Sequence, residues 1–179
     1  MKRVSVIGIS GSGKSTLARA ISDRLGLPLL ELDGVFNLAG WETKPVDEFR
    51  SEVSAFVAGD RWVVDGNYVN QGVAELVWSR ADTVVWLDPP KWAVMSRVIR
   101  RTLRRLVSRE ELWNGNREPW TNITSTKPEK NIMVWAWKQF SPVRRTYETM
   151  LGDGTWSRVQ VVRLQRNREV RSFIEALTA

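Results

Sequence analysis

Short β-branched bursts, separated by stretches of helical spacing, run through the whole chain. Residues 4–9, Val-Ser-Val-Ile-Gly-Ile, form the first burst and end in a Gly/Ser cluster, which predicts a buried strand. From Ser15 the period changes, with Leu17, Ala20, Ile21 and Leu25 on one helical face before Gly26 and Pro28 stop the turn. Residues 29–33, 62–65, 83–88 and 160–164 predict four further strands. Residues 45–58 predict an amphipathic helix with Phe49, Val53, Phe56 and Val57 inward. Two long helices are expected at about 90–107 and 129–150, and a closing helix at 168–177. Strands alternating with helices indicate a parallel sheet covered on both faces, an α/β class. The polar stretch from about 108 to 130 is longer than an ordinary connector, so we expect one domain over 1–179 carrying a lid or binding loop there.

Composition narrows the chemistry. At 179 residues, 42% apolar and 26% charged, the chain can bury a core of its own. No apolar run approaches the roughly 18–20 residues of a spanning helix. No signal-peptide layout precedes Val4, and a cytoplasmic protein with no membrane partner is expected. Cysteine and histidine are both absent, which excludes thiolate and imidazole metal sites, cysteine nucleophiles and Ser-His-Asp catalysis. Residues 1–90 carry 9 basic and 12 acidic side chains, whereas residues 91–179 carry 18 and 8. A basic half either faces an anion or serves solubility.

The strongest signal lies between the first strand and the first helix. Gly8-Ile9-Ser10-Gly11-Ser12-Gly13-Lys14-Ser15-Thr16 fits G-x-x-x-x-G-K-[ST], at the position where its mechanism operates. Backbone N–H groups of such a loop turn inward around a polyphosphate, and the helix N-terminus adds positive potential. Lys14 would reach the terminal phosphates and the Ser15 hydroxyl would ligate Mg²⁺, so a bound nucleoside triphosphate is expected. Asp33, Asp65 and Asp88 each end a predicted strand, at the sheet edge where ligands bind. There each can hold a metal through water, accept a proton, or merely cap its loop.

The helix after strand four predicts an apolar face of Met95, Val98, Ile99, Leu103 and Leu106. A basic face of Arg97, Arg100, Arg101, Arg104 and Arg105 lies opposite, either solvated or turned to phosphate. Of the ten Trp, Trp62, Trp78 and Trp86 occupy core-like positions. Trp41, Trp113 and Trp120 lie in loops where a ring can stack on a ligand, and Trp135 and Trp137 are expected to pack the lid on the body.

Together with residues 31–36 (Glu-Leu-Asp-Gly-Val-Phe), Gly40-Trp41, residues 62–68 (Trp-Val-Val-Asp-Gly-Asn-Tyr), 81–88 and 111–118, the loop resembles the bacterial adenylate-kinase-related proteins labelled DNA topology modulation proteins. The likeness spans nearly the whole chain. Similarity to adenylate and shikimate kinases implies a five-stranded parallel sheet of order 2-3-1-4-5 with a closing lid. It implies that Asp65 is the water-mediated Mg²⁺ carboxylate, and that Asp33 stands near the acceptor hydroxyl. Arg97 and Arg101 resemble the paired arginines of the helix before the lid, and residues 165–167, including Arg166, resemble the loop bordering the adenine. Asn67-Tyr68 replaces the Phe-Pro-Arg of adenylate kinases, so the arginine that grips a monophosphate is missing, and Arg50 is the candidate substitute.

The expectation is a monomeric Mg²⁺- and ATP-dependent kinase. Gly8, Ser10, Gly11, Ser12, Gly13, Lys14, Ser15, Thr16, Arg97 and Arg166 would hold the nucleotide, and Ser15 and Asp65 the metal. Lys14, Asp33, Arg97, Arg101 and Arg105 would act on the transferring group. Asp33, Trp41, Arg50, Asn67 and Tyr68 would meet a nucleotide or small-molecule acceptor. The alternatives are a nucleic-acid-associated ATPase, with the arginines on backbone phosphates, and a nucleotide-sensing regulator.

Overall fold

The apolar bursts pair edge to edge, the central three buried on both faces and the two edge strands only in part. In a computed structural model, which describes residues 1–125 and 131–177, they form β1 (Arg3–Gly8), β2 (Leu29–Glu31), β3 (Trp62–Asp65), β4 (Thr83–Leu87) and β5 (Gln160–Leu164). The pairings are all parallel and the order is β2-β3-β1-β4-β5. β1 sits at the centre, with Val6 beside Asp65 on one flank and Gly8 beside Leu87 on the other. The C-terminal ends of β1, β3 and β4 therefore share one edge.

Helices α1 (Lys14–Leu25) and α8 (Asn167–Ala176) cover one face of the sheet. There Leu17, Ala18, Ile21 and Leu25 meet Val4, Val6, Val63 and Val85. On the other face α3 (Val46–Val57), α4 (Val73–Trp78) and α7 (Ile132–Gly152) bury Phe49, Val53, Trp78 and Tyr147 against Ile7, Val64 and Trp86. The alternation along each strand sends neighbouring side chains to opposite cores. Helix α5 (Lys91–Ser108) closes a third cluster over the loop after β1, through Val94, Val98, Ala136 and Phe140.

Several expectations change here. β2 stops at Glu31, because the edge strand has only β3 as a partner and Leu32 turns into the core. Asp33 accordingly lies in a short helix, α2 (Leu32–Phe36). Helix α4 has no counterpart in the sequence reading, although its buried Val73, Ala74, Val77 and Trp78 are helically spaced. On α5 the buried row is Val94, Val98, Thr102 and Leu106. Ile99 and Leu103, expected inward, face solvent, since the arc beside the buried row is taken by Arg97, Arg101 and Arg105. The 108–130 excursion is described as far as Ser125, with α6 (Thr121–Thr124) near its end. Residues 126–130, including the expected start of the second long helix, lie outside the described residues.

Asp88 also departs from expectation. It is 7% exposed and accepts hydrogen bonds from the Arg163 guanidinium at 2.6 and 3.0 Å and from the Gln165 amide, with Arg144 at 3.2 Å. It is thus a strut between β4, β5 and α7, and not a free carboxylate at the ligand edge. Asp88→Ala is expected to cost about 1–3 kcal/mol by leaving these donors unmatched. A urea titration should show a lower midpoint with an unchanged slope.

Candidate active site

The turn after β1 is built by backbone geometry. Gly8 and Gly11 take φ of 150° and 85°, and a Cβ at Gly11 would sit 2.5 Å from the Val98 methyl. No other residue fits there without displacing α5. Gly13 precedes α1 without any side-chain cap, so the first amides of that helix have no intrahelical acceptor and point outward at its positive end. Such a nest suits an anion with several oxygens.

The loop is anchored from the neighbouring strand. The Asn67 carboxamide accepts from the Gly8 N–H (3.1 Å) and donates to the Gly8 carbonyl (2.7 Å), tying the ends of β1 and β3 together. From above, Arg97 donates to the Ser12 carbonyl (2.7 Å) and to Asn167 Oδ1 (2.7 Å), while Arg101 donates to Ser10 Oγ (3.0 Å). Burial, and next the charge of Arg105, lower the pKa of Arg101, with Glu118 and Asp33 opposing them. The arginine row thus divides: Arg97, Arg101 and Arg105 turn inward, while Arg100 and Arg104 face solvent.

Asp65, 5% exposed, has one carboxylate oxygen without a hydrogen-bond partner. Burial raises its pKa, and the nearby Lys14 charge and Ser15 hydroxyl pull it back down. An orphaned buried oxygen beside a serine hydroxyl fits Mg²⁺, a cation that keeps water and phosphate as most of its ligands.

Two cavities flank the loop. The smaller, about 240 Å³, lies between Ser12, Gly13 and Thr16 on one side and Arg97 with residues 165–167 on the other, over apolar walls from Leu164, Val170 and Ile174. The larger, about 610 Å³, opens from Ser10 and Lys14 onto Asp33, Asn67 and Tyr68, and its far wall is α7. Tyr68 donates to Asp33 Oδ1 at 2.8 Å, and burial, then the Asp33 charge, drive its phenol pKa far up. The phenol therefore stays a donor and fixes one carboxylate oxygen of Asp33.

Two residues expected to meet the acceptor, Trp41 and Arg50, do not line the larger cavity, and Arg105, expected at the transferring group, is paired instead. Trp41 is pinned outside the cavity, its indole donating to the Arg117 carbonyl (3.0 Å) and its backbone N–H to Asn116 Oδ1 (2.9 Å). Arg50 donates to the Gln71 carbonyl (2.8 Å) behind the cavity wall, bracing the loop after β3. Arg105 faces Glu118 at 3.6 Å. Conversely, Asn122, Trp135, Gln139 and Thr146 line the cavity without having been singled out for it. The spacing of 135, 139 and 146 on one helix was their only sequence signal, and it reads equally well as packing.

Residues 111–117 form a tight turn docked on residues 31–41. Trp113 donates to Glu31 (3.1 Å), Asn114 to the Gly34 and Asn37 carbonyls (3.1 and 2.6 Å), and Asn116 to the Leu38 carbonyl (2.8 Å). The segment after α5 is thereby fastened beside the mouth that Asp33 faces.

This sheet order, with its glycine loop and covering helices, is the fold of the P-loop kinases. No family model and no curated protein matches the chain. Among solved structures, shikimate kinase from Acinetobacter baumannii in complex with shikimate aligns over 98% of this chain and 89% of its own, at 16% identity and TM-score 0.55. An unliganded sugar kinase from Janibacter sp. HTCC2649 aligns over 98% and 91%, at 18% and 0.55. A gluconokinase from Sinorhizobium meliloti 1021 aligns over 97% and 91%, at 18% and 0.52. At such identities the likeness is one of fold.

Asn67→Ala removes both bonds to Gly8 and is expected to cost about 1–3 kcal/mol of stability. Pyrophosphate binding, measured by calorimetry, should weaken about tenfold, in keeping with ~1.4 kcal/mol per decade.

Proposed function

We propose that the protein is a cytoplasmic, monomeric phosphotransferase that moves the γ-phosphoryl group of Mg²⁺-ATP to a hydroxyl of a small molecule. The observation that carries this reading is the pair of cavities on either side of one phosphate loop, with the inward arginines lining or bracing one side and a positioned carboxylate on the other. Kinases of shikimate, a sugar and gluconate among the fold neighbours support it, as does the resemblance of residues 8–16, 31–36 and 62–68 to the adenylate-kinase-related group labelled DNA topology modulation proteins.

In this reading the base lies in the smaller cavity, against Arg97, Arg166 and the apolar wall. The phosphates lie on the amides of residues 8–16, with Lys14 reaching the outer ones. Ser15 and Asp65 hold Mg²⁺, Asp65 directly or through water, and the metal neutralises charge on the phosphate oxygens. The oxygen of Asp33 that Tyr68 leaves free accepts the hydroxyl proton. Arg101, already beside Ser10, stabilises charge on the transferring group, and the 108–130 lid, with Arg105 and Arg117, excludes water. A nucleic-acid ATPase would need the arginine row outward. The inward turn of Arg97, Arg101 and Arg105 and the pairing of Arg104 with Glu110 favour the kinase.

Lys14→Ala should abolish ADP release while leaving the melting temperature within a few degrees of wild type. Asp33→Asn should lower kcat by about 10²–10⁴, the usual contribution of a general base, with little change in KM for ATP. Full turnover by either variant contradicts the mechanism. Asp65→Asn should melt higher than wild type in metal-free buffer, by roughly 2–4 °C for each kcal/mol of relieved burial. The same variant should lose most of the stabilisation that Mg²⁺ adds to bound ATP, seen by scanning calorimetry.

A further inference from the structure

Resting on the phosphotransferase reading, the larger cavity carries information about its occupant. Among the described residues lining it, Lys14 and Asp33 are the only charged side chains, and Lys14 belongs to the phosphate loop. The remaining polar lining is carboxamide or hydroxyl, supplied by side chains such as Asn37, Asn70, Asn122, Gln139 and Thr146. Arg50, Arg101 and Arg105 are not part of that lining, and each holds a protein partner: Arg50 the Gln71 carbonyl, Arg101 the Ser10 hydroxyl and Arg105 the Glu118 carboxylate.

Shape adds to charge. On α7, Ile132, Trp135, Gln139, Val143 and Thr146 follow one another at steps of three or four residues. They present a single stripe to the cavity in which apolar and hydrogen-bonding groups are interleaved. Trp135 is 37% exposed, so part of its ring remains open to contact. Carboxamides around an aromatic surface match a ring that carries hydroxyls on its rim and C–H groups or a π-face on its flat side.

We propose that the phosphoryl acceptor is an uncharged, polyhydroxylated ring compound with one flat apolar face, the chemistry shared by nucleosides and cyclic polyols, and not a carboxylate or a phosphomonoester. An anion here would stand beside Asp33, and among the described residues lining the cavity only Lys14, which the phosphates engage in this reading, carries a positive charge to balance it. Like charges a few ångströms apart in such a site cost on the order of 10²-fold or more in affinity. The hydroxyls of a neutral ring instead meet side-chain amides that donate and accept. In the transfer, one acceptor hydroxyl oxygen forms a bond to the γ-phosphorus as the bond from that phosphorus to the β–γ bridging oxygen breaks. The hydroxyl proton passes to Asp33 and then to water, and the products are a phosphate monoester and ADP.

The test is an ADP-release assay on the full chain, with the neutral compounds adenosine, cytidine, myo-inositol and glucose in one arm. AMP, CMP, gluconate and shikimate form the other. We expect at least one neutral compound to raise ADP release 10²-fold or more above the hydrolysis background, and every anion to leave it at background. Nucleoside and polyol sources separate within the neutral arm. In the responding pair, Trp135→Ala should raise the acceptor KM about tenfold and leave the KM for ATP unchanged, and an unaltered acceptor KM overturns the stacking assignment. Turnover confined to the anionic arm, or no turnover in the neutral arm while calorimetry still records Mg²⁺-ATP binding, overturns the inference and leaves the nucleotide site standing. Absence of Mg²⁺-ATP binding by wild type overturns the phosphotransferase reading itself.

Discussion

The reciprocal pair between the Asn67 carboxamide and the Gly8 backbone holds the site together. Gly8 is where β1 must leave the sheet with a backbone no other residue adopts readily, and where its polar groups lose their regular ladder. One carboxamide satisfies both of those groups and stitches the loop to the end of β3. Because the same strand end supplies Asp65, and Tyr68 follows Asn67 directly, the phosphate nest, the buried carboxylate and the phenol on Asp33 are positioned by one short segment. The parallel register makes this possible, since it brings the C-terminal ends of three strands to a single edge.

Charge is distributed across that edge with a division of labour. Basic groups from α5 and α1 converge on the loop, whereas the described lining of the cavity beyond it is, apart from Lys14, neutral around one carboxylate. Concentrating cations at the loop strengthens the positive field at the turned-in amides, where an anion with several oxygens would sit. Arg101, whose pKa burial depresses, donates to Ser10 inside that edge. The turn at 111–117, bonded to residues 31–41 through Asn114 and Asn116, couples the segment after the arginine helix to the mouth of the neutral cavity.

Much of this was legible in the chain. The strands β1, β3, β4 and β5 follow from short runs centred on β-branched residues, and the phosphate loop from a spacing with a backbone reason behind it. What was not legible has physical causes. Helix α4 is six residues long and is stabilised by burial of Trp78, a tertiary contact that local spacing scarcely announces. Asp88 resembled Asp65 because both close strands. Arg163, seventy-five residues later, makes one a strut, while the other keeps an unpartnered oxygen. Trp41 and Trp135 exchanged their expected places for a similar reason: a loop tryptophan was captured by the Asn116 side chain and the Arg117 carbonyl, and a helical one was left facing an opening.

By itself the sequence determined the class of sheet, the position of the phosphate loop and the sign of the charge above it. These depend on residues that are neighbours in the chain, where periodicity and glycine spacing act directly on the backbone. Only the tertiary structure decided which arginines turn inward, which carboxylates remain available and what lines the larger cavity. Those outcomes depend on side chains that meet across tens of residues, and on which face of a helix the rest of the molecule happens to cover.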